Sequence, residues 1–205
     1  MKLKKLFIAL SSVAILALLS FTFKVSGYDP GAEASDFKLK NIDNKMVSLA
    51  DFKDAKGFVV VFTCNHCPFA IKYEDRLNAL DAKYKKLGYP VIAINPNDVV
   101  QYPEDGFDEM QKRAKEKGFT FPYLIDETQE VAKAYGALKT PHVYILQKEN
   151  KKLSVKYVGA IDDNYDDATK VTKRYAENAL DELVAGKDVT LVLTKAVGCS
   201  VKWKK

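Results

Sequence analysis

This 205-residue sequence predicts an α/β fold, a central mixed sheet flanked by helices. Three observations lead there. Residues 58–63 and 91–94 are short apolar runs without polar alternation, the mark of strands buried on both faces. Segments with apolar residues at three- and four-residue steps follow them, and glycines 88, 118, 136 and 186 stand where C-terminal caps belong. The order of the pieces, βαβα and then ββα, calls for one sheet with helices on both faces.

Residues 1–27 are an address. Lys2, Lys4 and Lys5 precede an apolar stretch over residues 6–23, and Val25-Ser26-Gly27 offers small residues for cleavage. This is the pattern of a secretory signal peptide cut near Gly27, or of an N-terminal membrane anchor if it is kept. Export to the periplasm or cell envelope is expected, where disulfides persist. Removing Lys2, Lys4, Lys5 and Lys24 from a formal charge of +5 leaves +1 for residues 28–205. A nucleic-acid partner is excluded on that balance. The remaining length suits one domain, and the Lys202-Trp203-Lys204-Lys205 tail has the character of a solvated terminus.

In order along the chain, residues 37–42 and 46–49 form a hairpin through Asp43-Asn44, an N-terminal extension of the fold. The strand at 58–63 leads into a helix that runs to about residue 87. Ile71, Leu77, Leu80, Tyr84 and Leu87 line one face of it, ahead of Gly88. A strand at 91–94, a helix at 107–117, a short strand at 123–125 and a short helix at 129–135 come next. Residues 142–146 and 154–158 make a second hairpin turning at Asn150-Lys151, and 172–185 is the last helix.

The chemistry lies at Cys64-Asn65-His66-Cys67-Pro68, at the junction of strand and helix. Free amide N–H groups and the positive end of a helix dipole stabilise a thiolate there. Two residues between cysteines close a ring that opens and shuts with little backbone movement, which favours redox exchange over structural cross-linking. Cys64, nearer the exposed junction, is the expected nucleophile, and Cys67, one turn into the helix, the resolving thiol.

The segments 62–68, 123–132, Ala134-Tyr135-Gly136, Thr140-Pro141 and Gly198-Cys199-Ser200-Val201-Lys202-Trp203 carry a family resemblance. The chain resembles a thioredoxin-fold protein of the redoxin group, the alkyl-hydroperoxide-reductase/thiol-specific-antioxidant type, and within it the bacterial peroxiredoxin-like thioredoxin-family proteins. The resemblance implies a thioredoxin-like fold in which the cysteine pair faces a cis-proline loop at Pro141. It also implies that the Thr140 backbone pairs with an extended substrate peptide. Both histidines, His66 in the motif and His142 after Pro141, would then sit at the site, where a charged imidazole lowers a thiol pKa.

Departures from the family's subtypes narrow the function. A peroxide-reducing peroxiredoxin carries Pro and Thr seven and three residues before its reactive Cys, where this chain has Gly57 and Val61. It also has an Arg near the next active-site loop, whereas Arg76, Arg113 and Arg174 all lie away from Thr140-Pro141. Thioredoxins have Trp before the first Cys and a buried acid six residues before it; Thr63 and Phe58 stand here, so no proton acceptor for Cys67 is apparent.

Cys199 is an odd thiol, either a third exchange partner or a packed apolar residue. Residues 162–167 begin like a calcium loop but place Asp167 where Gly is needed and Lys173 where the closing carboxylate belongs. They are a polar loop. The expected function is an exported thiol-disulfide oxidoreductase without cofactor or metal, acting on protein dithiols and disulfides, with a membrane thiol reductase or oxidase as a candidate partner. The alternatives are a thiol peroxidase and a copper carrier using Cys64, Cys67 and His142.

Overall fold

The computed structural model describes residues 27–205, and the leader expected over residues 1–27 lies outside them but for Gly27. The described residues form ten strands: β1 (Glu33–Ala34), β2 (Lys38–Asn41), β3 (Met46–Ser48), β4 (Gly57–Phe62), β5 (Val91–Asn95), β6 (Tyr123–Ile125), β7 (Lys139–Thr140), β8 (His142–Glu149), β9 (Lys152–Gly159) and β10 (Cys199–Ser200). Eight make one mixed sheet in the order β1-β9-β8-β4-β5-β6-β2-β3, and β7 pairs with β10 apart from it. Strands β4, β5 and β6 run parallel; the other pairs are antiparallel. Four α-helices, α1 (Pro68–Tyr84), α2 (Phe107–Lys117), α3 (Glu130–Tyr135) and α4 (Tyr175–Val184), complete the described fold.

The apolar run at β4 follows from burial on both sides. Val59 and Val61 join a core with Leu77, Leu80 and Tyr84 of α1 and Leu180 of α4. Phe58, Val60 and Phe62 point the other way, to Tyr135 of α3 and Tyr144 of β8, because successive strand residues alternate faces. Burying Leu77 or Leu80 stabilises the fold by about 1.5–3 kcal/mol each. Helix α1 begins at Pro68, whose missing N–H is no loss at the first helical position. A single 3-10 turn extends it to Gly88, which takes φ 96°. The β8–β9 hairpin turns at Asn150 and Lys151, both left-handed, as a tight two-residue connection requires.

Four features differ from expectation. The 38–48 hairpin is not an appendage: β2 pairs with β6, Lys40 opposite Ile125, and extends the main sheet. Strand β1, absent from the sequence reading, closes the opposite edge against β9. The last helix starts at Tyr175 rather than residue 172, since Asp163 holds both the backbone N–H and the hydroxyl of Thr172 in the preceding loop. The C-terminal tail is anchored rather than solvated. Lys202 N–H donates to Asn97 Oδ1 at 2.9 Å, Asp98 N–H donates to the Lys202 carbonyl at 2.8 Å, and Trp203 packs on the core.

Candidate active site

The parallel strands β4 and β5 deliver two loops to one end of the sheet. The first carries Cys64-Asn65-His66-Cys67 into α1; the second, after β5, carries Asp105 just before α2. The site is assembled where these loops meet the turn between β7 and β8, which contains a cis Thr140-Pro141 bond, as the family resemblance implied.

Thr140 holds both sulfurs. Cys64 Sγ lies 3.4 Å from its hydroxyl, and Cys67 Sγ lies 3.1 Å from its carbonyl oxygen. The cysteines are reduced. Contrary to the expectation of an exposed Cys64, both are enclosed, Cys64 at 3% and Cys67 at 0% exposure. Cys199 packs on the same small cluster with Ala70 and Phe69, and β10 sets it directly opposite Thr140. Three sulfurs therefore meet at the proline loop.

The two residues between Cys64 and Cys67 are pinned. Asn65 Oδ1 accepts from the Tyr123 hydroxyl at 2.9 Å, and its amide donates to the Glu104 carbonyl at 2.9 Å. The Asp105 carboxylate, fully buried, accepts the backbone N–H groups of Asn65 and His66 at 2.8 and 3.2 Å and the Asn97 amide at 2.7 Å. His66 Nδ1 stands 2.5 Å from the same carboxylate, and the imidazole stacks on Tyr102. Asp105 is the functional residue that sequence reading missed. It lies forty-one positions from Cys64, and its neighbours Pro103-Glu104-Asp105-Gly106 look like an ordinary turn.

Charge is divided unevenly between the sulfurs. The Cys67 thiol is pulled below the ordinary thiol range by its interaction with the Cys64 thiol first and with Cys199 after it, against the opposing effect of burial. Cys64 is pushed far above the ordinary thiol range by its bond to Cys67, by burial and by the Asp105 carboxylate. This division runs against the expectation that Cys64 carries the thiolate, and alkylation of the reduced protein at mildly acidic pH, followed by peptide mapping, decides between the two sulfurs. The helix-terminal amide favours Cys67, the N-cap residue, and the carboxylate that clamps the motif faces Cys64.

His142 does not join the dithiol. It is cross-strand partner to Phe62 and shares a face with Tyr144, whose hydroxyl lies 3.4 Å from Nδ1. That face packs toward α3, while Cys67 caps α1 on the other side. The Cys64, Cys67 and His142 ligand set expected for a copper carrier is therefore not assembled. The cluster that is assembled, with one ligand atom from each residue within 4.8 Å of the others, is Cys64, His66 and Asp105. Its carboxylate is already committed to four hydrogen-bonding partners.

Burial pushes His142 down to about 4, so between pH 6.5 and 4 the unfolded chain binds a proton that the folded one refuses, and stability falls with acid. His142→Gln is expected to lessen that acid sensitivity in urea melts while leaving the ultraviolet thiolate titration unchanged. A shifted thiolate titration would place His142 back at the dithiol.

The AhpC/TSA family profile matches residues 30–176. A conserved protein of Geobacillus kaustophilus, known from its crystal structure, is 41% identical over 87% of this chain and 94% of its own, with a TM-score of 0.80. The thiol-disulfide oxidoreductase ResA of Bacillus thuringiensis subsp. konkukian is 30% identical over 122 residues, 59% of this chain; the match spans 65% of that protein's length. Peroxidoxin BcpB of Mycobacterium tuberculosis, 17% identical over 77% of this chain and 96% of its own with a TM-score of 0.59, shares the thioredoxin-like fold.

Proposed function

The chain belongs to the AhpC/TSA family, and from that premise we propose that it is an exported thiol-disulfide oxidoreductase whose Cys64-x-x-Cys67 pair is the redox centre. The observation that carries the reading is the attachment of both reduced sulfurs to Thr140, the residue before the cis proline. In the reducing direction the pair passes two electrons to a partner disulfide through a mixed disulfide, its own proton and one from solvent going to the partner sulfurs. The partner's S–S bond breaks, the Cys64–Cys67 bond forms, and two partner thiols leave.

Thr140 positions the pair, and Asp105 with His66 holds the connecting residues in place. Protein dithiols and disulfides are the partner class, and a membrane thiol reductase or oxidase would restore the pair. Export rests on the leader pattern of residues 1–27. No helix among the described residues is long and apolar enough to cross a membrane.

A peroxidase needs a cation to polarise the O–O bond. Each arginine is instead engaged elsewhere: Arg76 with Asp162, Arg113 with Glu74 and Arg174 with Glu177. Gly57 and Val61, in place of the family's Pro and Thr, lie inside β4. The reduced protein is therefore expected to reduce insulin disulfides, to lose that activity in Cys64→Ser and Cys67→Ser, and to consume hydrogen peroxide no faster than free cysteine does. Rapid, stoichiometric sulfenic acid formation with intact insulin would sink the reading in favour of a peroxidase.

A further inference from the structure

The edge of β7 beside the dithiol, where a partner peptide would pair, is occupied by the chain's own C-terminal strand. Strand β10 runs antiparallel to β7, with Cys199 opposite Thr140 and Ser200 opposite Lys139. The segment is held on both sides of the thiol. Before it, Thr194 N–H donates to the Val158 carbonyl at 3.0 Å; after it, Val201 N–H donates to the Leu138 carbonyl at 3.1 Å, and Lys202 is fixed by Asn97 and Asp98. Gly198 admits the close approach. A Cβ there would lie 2.1 Å from the Thr140 carbonyl oxygen, so no other residue fits without moving the strand.

This placement presents a third sulfur to Cys67. Cys199 packs on the cluster of Cys64, Cys67 and Ala70, and β10 sets it opposite Thr140, whose carbonyl oxygen lies 3.1 Å from Cys67 Sγ. Of the three cysteines, Cys199 alone is half-buried rather than enclosed. A partner protein meets Cys199 before it meets either member of the pair.

We propose that Cys199 is a third redox thiol, which exchanges with Cys67 and is the sulfur through which partner dithiols reach the enclosed Cys64–Cys67 pair. The proposal rests on the reading of that pair as a redox centre. In the internal step the Cys199 thiol loses its proton and its sulfur attacks Cys67 Sγ. The Cys67–Cys199 bond forms, the Cys64–Cys67 bond breaks, and the electron pair leaves on Cys64, which takes up a proton. The step is an isomerisation and needs no outside oxidant. A partner thiolate then attacks the Cys199 sulfur and expels the Cys67 thiolate. The partner's second thiol resolves the mixed disulfide, leaving a partner disulfide and three reduced cysteines.

Charge and hydrogen bonding fit this order of events. Burial and the neighbouring Cys67 sulfur push Cys199 up to about 11 in the reduced protein, against the pull of Lys202 and Lys139. Once Cys67 is bound in a disulfide its negative charge is gone and the two lysines remain, so Cys199 ionises more readily as the attacking group. In the outward step Cys67 departs from the N-cap of α1, where the helix dipole favours a thiolate, and a leaving thiol of low pKa leaves faster.

The test is disulfide mapping of the full chain oxidised by glutathione disulfide, quenched in acid, alkylated and digested. The expected result is a mixture of Cys64–Cys67 and Cys67–Cys199 linkages, with Cys64→Ser giving an intramolecular Cys67–Cys199 bond. Cys199→Ser and Cys199→Ala are both expected to keep the Cys64–Cys67 linkage and to lose oxidation of a protein dithiol. A Cys64–Cys67 bond with Cys199 fully alkylated, together with only glutathione adducts or dimers in Cys64→Ser, would overturn the proposal and leave the redox pair standing. Unchanged dithiol oxidation in Cys199→Ser would do the same. Absence of both linkages from the wild-type chain would remove the redox pair as well.

Discussion

Asp105→Ala is expected to lower the unfolding free energy by about 3–5 kcal/mol, the usual cost of removing one partner from a buried charged network. Four groups lose their acceptor at once: the backbone N–H groups of Asn65 and His66, the His66 ring and the Asn97 amide. Each buried donor left unpaired costs about 1–3 kcal/mol, and the chain's relaxation recovers part of the sum. Against a typical domain stability of about 5–15 kcal/mol this is a large fraction. The same substitution removes one of the groups that push the Cys64 thiol up, after its bond to Cys67 and burial, so Cys64 should ionise at lower pH. Asp105→Asn is the finer probe. It keeps an acceptor for the two backbone N–H groups, but it turns an amide donor toward Asn97 or His66, so an intermediate loss of stability is expected. A urea midpoint unchanged in Asp105→Ala would show that the motif is held by other contacts.

The reduction potential should depend on pH half as steeply as that of an ordinary dithiol. The hydrogen bond between the two sulfurs pulls the Cys67 thiol below the ordinary range and pushes the Cys64 thiol above it, so over the intervening pH the reduced pair holds one proton. Reduction therefore takes up two electrons and one proton, giving a slope of about −30 mV per pH unit where two protons would give about −59. Stability follows the same linkage. An unfolded thiol ionises near about 8.5, and the folded Cys67 is depressed below it. Its contribution to the reduced protein is complete above that pH and is lost progressively as pH falls toward the depressed value. The oxidised protein has no such thiolate, so acid narrows the advantage of the reduced form, and relative to an ordinary dithiol the disulfide becomes harder to reduce.

What could be read in advance was local. A continuous apolar run, a helical repeat ending at Gly88 and a Cys-x-x-Cys between them signal strand, helix and junction without help from the rest of the chain. Thr140-Pro141 could be placed only through the family resemblance, and the cis bond and its contact with both sulfurs agree with it. The face of His142 was not legible, because β8 is apolar on both sides and its alternation does not reveal which side carries α1. Asp105 and β10 were hidden for another reason. A buried carboxylate in a turn and a two-residue strand have no periodicity, and their roles arise only when the fold brings residues 65, 105, 140 and 199 together. The location of the thiolate followed from those unseen partners. Sequence position favoured Cys64, whereas the neighbouring Cys64 thiol and Cys199 favour charge on Cys67.

The most direct measurement is the equilibrium of the full chain with glutathione redox buffers across neutral pH, each point quenched in acid and mapped for the Cys64-containing and Cys67-containing disulfides. The expected result is a reversible two-electron transition that is lost in Cys67→Ser and whose midpoint falls by about 30 mV per pH unit. A dithiol that never forms a disulfide in these buffers, or a midpoint that falls by about 59 mV per pH unit, would contradict a redox centre built around a Cys67 thiolate.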